Sequence, residues 1–365
     1  MTCSIIPFGC RGYTDKVGVL LAQLGTPDAP TKQALRVYLK QFLSDRRVIE
    51  VNRALWWVLL NGIILNTRPK RSARLYARIW GEEGSPLLTI TKSQTEKLAA
   101  RLRHSDPRVE VTYGMRYGNP SLERSIDDLI AKGVTQLILV PMYPQYAAPT
   151  TASVYDMVFP YLLKRRWVPT IKVVAPFFQH PSYVRALVTT IEEGIKNLDY
   201  TPEKLVLSYH GVPQKYVKKG DPYCCMCVET TRLFKAHSSF PTEKVVHTYQ
   251  SRFGRDPWLQ PYTDDTIEAL GKDGVKDIAV ACPGFVADCL ETLDEIGNEA
   301  LEAFEEHGGH RLKLIPGVND HPSFIDCLET VVRETGGTWL EQGKVVATGC
   351  ETARPNCRCP SACNE

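Results

Sequence analysis

One histidine, one run of carboxylates and two groups of thiols are the side chains here whose type and spacing could do chemistry. His210 stands in LVLSYHGVPQKY (205–216), where an apolar run ends and a Gly-Pro turn begins. An imidazole at such a place can accept a proton near neutral pH or ligate a metal; it can equally be a turn histidine bonded to backbone. Further on, GFVADCLETLDEIGNEALEAFEEHG (284–308) has helical spacing. At about 100° per residue, Asp288, Glu291, Glu295, Glu299 and Glu302 fall within one narrow arc. Stacked like charges cost roughly 0.2–0.5 kcal/mol each, so they either stand in water or serve a purpose. On the first view Asp288 is an N-cap, Glu291 completes a capping box, and the rest is a solvated face. On the second, the first carboxylates line a cleft and handle a cation or protons, with His210 opposite. Oxygen ligands suit hard divalent cations, and imidazole suits Fe(II) or Zn(II).

Twelve cysteines include two groups: Cys224, Cys225 and Cys227 in YCCMC, and Cys350, Cys357, Cys359 and Cys363 near the end. Such close spacings can ligate soft metals; the alternative is incidental thiols and a loose tail. Cys282, Cys289 and Cys327 fall inside regular elements and fit buried packing.

The elements that must position these groups are short apolar runs at 17–25, 109–117, 136–144, 170–178, 205–211, 244–251, 277–284 and 311–318. They are continuously apolar, as strands covered on both faces are. Helical stretches at 91–104, 121–132, 182–197, 264–272, 287–306 and 322–334 separate them. This alternation predicts an α/β fold of two Rossmann-like halves, each a parallel sheet flanked by helices, with a cleft between them. The expected division is 1–165, 166–340 and a Cys-rich tail over 341–365. Ligands of open α/β sheets bind beyond the carboxyl ends of the strands, which is where His210 falls.

With 365 residues, 43% apolar and 23% charged, the chain is globular. A net charge of +3 argues against a general nucleic-acid binder. No G-x-G-x-x-G follows the first strand, and neither a P-loop nor a G-x-S-x-G elbow occurs. No apolar run reaches the roughly 18 residues of a membrane span, and the N-terminal stretch lacks leader character, so the cytoplasm is the expected compartment. LWWVLLNGIIL (55–65), followed by Arg68, Lys70, Arg71, Arg74 and Arg78, fits either an ordinary buried helix or an interfacial segment touching a membrane.

Taken together, LLAQLGTPDAP, TRPKRSARLYARIWGEEGSPL, YGMRYGNPSL, VPMYPQYAAPTTAS, SYHGVPQKY, TYQSRFGRDPWLQPYTD and CPGFVADCLETLDEI form an ordered series over roughly residues 16–335. It resembles ferrochelatase, and the DCLETL form looks proteobacterial. The resemblance implies insertion of Fe(II), a substrate, into protoporphyrin IX. It implies His210 as the catalytic residue or metal ligand with Glu291 as its partner, and Asp288 and Glu295 along a metal or proton path. Leu24, Tyr117, Tyr143, Tyr146 and Trp258 are implied as porphyrin walls, with Arg116, and less directly Ser251 and Arg252, at the propionates. Cys289 stands where many relatives carry histidine, and Leu24 where others carry Met or Tyr. The cysteine density resembles the subgroup with a [2Fe–2S] cluster. Such a cluster needs four thiolates and is expected to draw on both groups, with structural zinc as the alternative. The rival readings are a cobalt or nickel chelatase, a coproporphyrin enzyme, or a non-catalytic haem or metal carrier. Either a monomer or a homodimer is compatible with the chain.

Overall fold

The computed structural model describes residues 16–340, residue 255 excepted. All eight expected strands form: β1 (Lys16–Thr26), β2 (Val109–Gly118), β3 (Val134–Pro141), β4 (Thr170–Val173), β5 (Lys204–His210), β6 (Val245–Gln250), β7 (Asp277–Ala281) and β8 (Arg311–Leu314). They make two four-stranded sheets of equivalent order, β2-β1-β3-β4 and β6-β5-β7-β8. Every pairing is parallel. Four strands stop three or more residues earlier than the apolar runs suggested, because the runs at 136–144, 170–178, 277–284 and 311–318 carry on into the turns beyond the sheet.

Side chains alternate between two layers, as the pleat requires. Val17, Val19 and Leu21 of β1 join Leu205, Leu207 and Tyr209 of β5 in one core that runs between the sheets. Leu20 and Ala22 face an outer layer beneath the helices Leu122–Ala131 and Ser153–Leu163. Val206 faces the corresponding outer layer of the second sheet, with Ile267 and Phe304. The shared layer is filled by the helices Pro181–Lys196 and Pro322–Gly336, the second of which contributes Phe324, Ile325, Leu328, Val331 and Val332. β4 hydrogen-bonds to β3, so the chain leaves the first sheet after residue 173 rather than at 165.

The crossover between β1 and β2 is the longer of the two equivalent ones. It holds the helices Lys32–Ser44, Arg53–Leu59, Leu65–Ile79 and Pro86–Ser105. The acidic segment is not one helix from 287. It runs as α-helix over Leu290–Leu293, widens to π geometry over Glu295–Ala300, and returns to α over Leu301–Glu306. The cap is a reciprocal pair between Cys289 and Thr292, not between Asp288 and Glu291. The Asp288 carboxylate is engaged elsewhere, as described below. Glu299 and Glu302 are exposed.

Candidate active site

The carboxyl ends of both sheets open into one cavity of about 540 Å³, with a largely apolar lining. That size lies within the usual range for small-molecule sites. His210, Glu291, Leu24, Tyr143, Ser251 and Trp258 all line it.

His210 is the last residue of β5 and pairs with Gln250 of β6. The Gly211 N–H donates to the Gln250 carbonyl at 2.8 Å. A Cβ on Gly211 would lie 3.0 Å from that oxygen and 3.1 Å from the Trp258 ring, so only glycine fits comfortably. The turn is then tied to the Trp258 segment: Leu259 N–H donates to Val212 O, and Gln214 N–H to Pro257 O. Nδ1 of His210 lies 2.6 Å from the Gly211 carbonyl. A carbonyl only accepts, so Nδ1 carries the proton and the neutral ring keeps its lone pair on Nε2.

The Glu291 helix is held in register from β6. Gln250 Nε2 donates to the Glu291 carbonyl at 2.6 Å, while its Oε1 accepts from Ser208 at 2.8 Å. Nothing in the local sequence signals the Gln250–Glu291 bond. Tyr38 and Tyr76 approach Glu291 from the long crossover; burial first, and Glu291's negative charge among further causes, hold both phenols well above their ordinary pKa. The helix Leu65–Ile79 is also tied to the acidic segment by Arg78, 3.4 Å from buried Asp294.

Glu295 grips Ser251. Its two oxygens accept the Ser251 N–H and O–H, each at 2.6 Å. Ser251 has φ of 64°, a left-handed conformation that is unfavourable for a side-chain-bearing residue and persists only where it is held. Burial raises the Glu295 pKa above the usual carboxylate value. The Ser251 donors and the His210 charge oppose this, and the Glu291 charge adds to it. The groups at 210, 291 and 295 therefore sense one another.

Other expected site residues lie elsewhere. Asp288 is buried and accepts from Thr292 Oγ1 at 2.9 Å, Asn319 Nδ2 at 2.6 Å and Gly317 N–H at 3.2 Å, so it ties two loops together rather than lining the cavity. Arg116 and Tyr117 sit behind the wall. Arg116 ion-pairs with Asp45 and its Nε donates to Ser153 Oγ at 2.7 Å; Tyr117 O–H donates to Asp45 at 2.8 Å. Nε and Nη2 of Arg116 are thus engaged within the protein. Burial pushes the Asp45 carboxyl up, but Ser153, the Arg47 N–H, Tyr117 and the Arg116 charge more than offset this. Tyr146 is outside the cavity lining, with its N–H 3.3 Å from Met226 Sδ. Arg252 pairs with Asp264 at 3.2 Å on the surface. In the long crossover, Leu55, Trp57, Val58 and Ile63 are each more than half exposed. The apolar run at 55–65 is therefore no ordinary buried helix.

Among the thiols, Cys227 is fully buried and burial raises its pKa well above the usual value, while Cys224 is half-buried and Cys225 exposed. Cys282, Cys289 and Cys327 are buried, as packing residues should be. Among the described residues no three His, Cys, Asp or Glu side chains come together as a metal site. Cys350, Cys357, Cys359 and Cys363 lie outside the described residues.

Comparison with solved structures identifies the architecture. SirB from Bacillus subtilis, solved with Fe3+, superposes with a TM-score of 0.51 at 14% identity, covering 88% of this chain and 96% of that one. DR2241 from Deinococcus radiodurans, a multi-domain protein described as structurally similar to chelatases, gives a TM-score of 0.50 at 12% identity, covering 89% of this chain and 56% of that one. The class is thus a two-sheet protein with the chelatase fold. Sequence comparison goes further. The ferrochelatase family model matches residues 16–336. The ferrochelatases of Brucella ovis and Brucella abortus are each 49% identical over 92% of this chain and 95% of theirs. The chain belongs to the ferrochelatase family, lyases of haem biosynthesis that insert ferrous iron into a porphyrin.

Proposed function

We propose that the cavity holds protoporphyrin IX and that His210 and Glu291 carry the chemistry that turns it into protohaem. The observation that carries this reading is that His210, with Nδ1 committed to the Gly211 carbonyl, lines the same cavity as Glu291. Insertion of one Fe(II) releases two pyrrole protons. Nε2 of His210 accepts a proton or touches the metal, and Glu291 balances the charge that results. Glu295, whose pKa is raised by burial, stands next in line to take a proton onward. Asp288 supports this path from outside the cavity by fixing the loops at 317–319. The apolar walls, Leu24, Tyr143 and Trp258 among them, exclude water and favour a flat ring pressed out of plane, which exposes its nitrogen lone pairs.

The exposed residues at 55–63 and the basic helix that follows support peripheral contact of a cytoplasmic enzyme with a membrane surface, from which a poorly soluble substrate can be taken. No helix among the described residues is long and apolar enough to cross a membrane. An iron–sulfur cluster of the [2Fe–2S] type is part of the reading, with structural zinc as its rival. Cys227 lies in the core and is the least accessible thiol of its group. Cys224 and Cys225 remain eligible beside the four tail cysteines, which supply enough thiolates by themselves. Visible absorption together with iron and acid-labile sulfide in the purified protein would support the cluster; their absence removes it.

The deciding measurement is an anaerobic insertion assay with Fe(II), Co(II) and Ni(II) on protoporphyrin and coproporphyrin, comparing the native protein with His210→Ala. Turnover with Fe(II) and protoporphyrin that disappears in the variant supports the reading. A variant that binds porphyrin and turns over normally defeats it.

A further inference from the structure

Glu291 sits on a single α-helical turn, Leu290–Leu293, before the geometry widens. A turn that short does not hold its own place, so the loop that feeds it must. That loop leaves β7 and contributes Val286, Ala287 and Cys289 to the cavity wall. The first half of the molecule supports it from behind. Leu87 and Ile90 of the helix Pro86–Ser105 form one apolar cluster with Phe285, Ala287 and Cys289. One turn further along the same helix face stands Gln94, fully buried.

The Gln94 side chain ends between two carbonyls. Its Nε2 donates to Val286 O at 2.7 Å and to Asn319 O at 2.8 Å. Both neighbours only accept, so the nitrogen end of the amide faces them and both of its hydrogens are engaged. Oε1 is buried with no partner among the described residues, so the donor end alone orients the group. Each bond reaches a segment that holds the acidic turn. Val286 precedes Glu291 in the feeding loop. Asn319 has φ of 39°, in the left-handed region, and its side chain embraces Asp288. Its Oδ1 accepts the Asp288 N–H at 2.8 Å, and its Nδ2 donates to the carboxylate at 2.6 Å. Asp288 in turn accepts from Thr292 Oγ1, the group that caps the Glu291 turn. We propose that Gln94 is a positioning residue: one amide from the first half braces the loops at 286 and 319 against each other and so sets the place of Glu291 in the second. The proposal rests on the reading of Glu291 as a reacting group.

Gln94→Leu keeps most of the volume and removes both donors. It should lower kcat for Fe(II) insertion about 10- to 100-fold, the order of loss that a shift of about 1 Å brings. Porphyrin KM, and affinity read by porphyrin fluorescence, should stay within about twofold. Gln94→Asn, one methylene shorter and gentler on folding, should lose about three- to tenfold in kcat with the same split. Ser93→Ala is the control. It removes a 2.6 Å bond from the same helix to Asp320 in the same loop, and should leave kcat within about twofold. In the Glu291→Gln background, followed in single turnovers with enzyme in excess, Gln94→Leu should cost less than about threefold more, because the two residues act as one. Additive losses, a raised KM with kcat retained, or equal kcat losses in the Ser93 and Gln94 variants overturn the role of Gln94. So does unchanged kcat in folded Gln94→Leu, or in Gln94→Asn where the first does not fold. Glu291→Gln with native turnover overturns the reading of Glu291 itself, and the proposal with it.

Discussion

The two halves share one topology and divide the labour of the site. β1 and β5 are equivalent central strands, each flanked by its second and third partners. Beyond β1 the chain supplies walls and a lip: Leu24, the long helical crossover, and Tyr143 from the turn after β3. The carboxyl end of the second sheet supplies the groups proposed to react: His210, the Ser251 loop after β6, and the Glu291 helix after β7. A sheet fixes where its strand ends point; what those ends carry is free to vary with the loops. The same difference appears in the ion pairs. Arg116 in the first half is engaged with Asp45 and Ser153 through Nε and Nη2, whereas the imidazole of the second half bonds through Nδ1 alone.

Substitutions that fall on opposite sides of this divide should behave in opposite ways. His210→Ala should lower kcat by roughly 10²–10⁴ while costing about 1 kcal/mol of stability, the worth of one hydrogen bond. Arg116→Ala should do the reverse. It leaves buried Asp45 without its cation, a loss of about 3–5 kcal/mol in urea unfolding, with kcat in the surviving folded fraction changed far less. Similar effects of both variants on kcat would end the division of labour.

Two imidazoles of the second sheet sharpen the contrast. His247 lies inside, with Nδ1 2.7 Å from Thr231 Oγ1. Burial, and then the Lys235 charge, lower its pKa from 6.5 to about 4. Between those values the unfolded chain binds a proton that the folded one refuses, so stability falls as pH drops across that window. The loss should approach roughly 2–3 kcal/mol. Unfolding midpoints at pH 7 and 4.5 should converge in His247→Gln relative to the native protein; an equal acid loss in both would assign the effect to other groups. The smallest change in stability is expected at the lip. Leu55→Ser combined with Trp57→Ser should abolish sedimentation with anionic vesicles while moving stability by no more than about 0.5 kcal/mol.

The strands were legible because burial on both faces leaves an uninterrupted apolar run, whichever layer each residue meets. The helices Lys32–Ser44, Leu65–Ile79 and Ser153–Leu163 were not. The first buries only Leu35, Tyr38 and Leu43, and the others contain Pro69 and Pro160, which break the expected pattern. His210 and Glu291 could be picked out from a strand end and a helix start. Gln250, Asp294 and Tyr76 could not, since each acts through a contact far away in sequence. Glu299 and Glu302 stand in water, as a solvated face should, whereas Asp288 is held away from the cavity by Gly317 and Asn319, contacts that the helical spacing could not show.

The layer between the sheets also limits how this molecule can move. Leu21, Leu207, Phe324 and Val331 belong to one packed body, into which the last helix returns after the second sheet is complete. Swinging the halves apart on a hinge would tear that body open and wet apolar surface from both. Any opening of the cleft is therefore expected at its rim rather than at a hinge between the sheets. Loss of the helix Pro322–Gly336 would strip the common interior and abolish both halves together, cleft included.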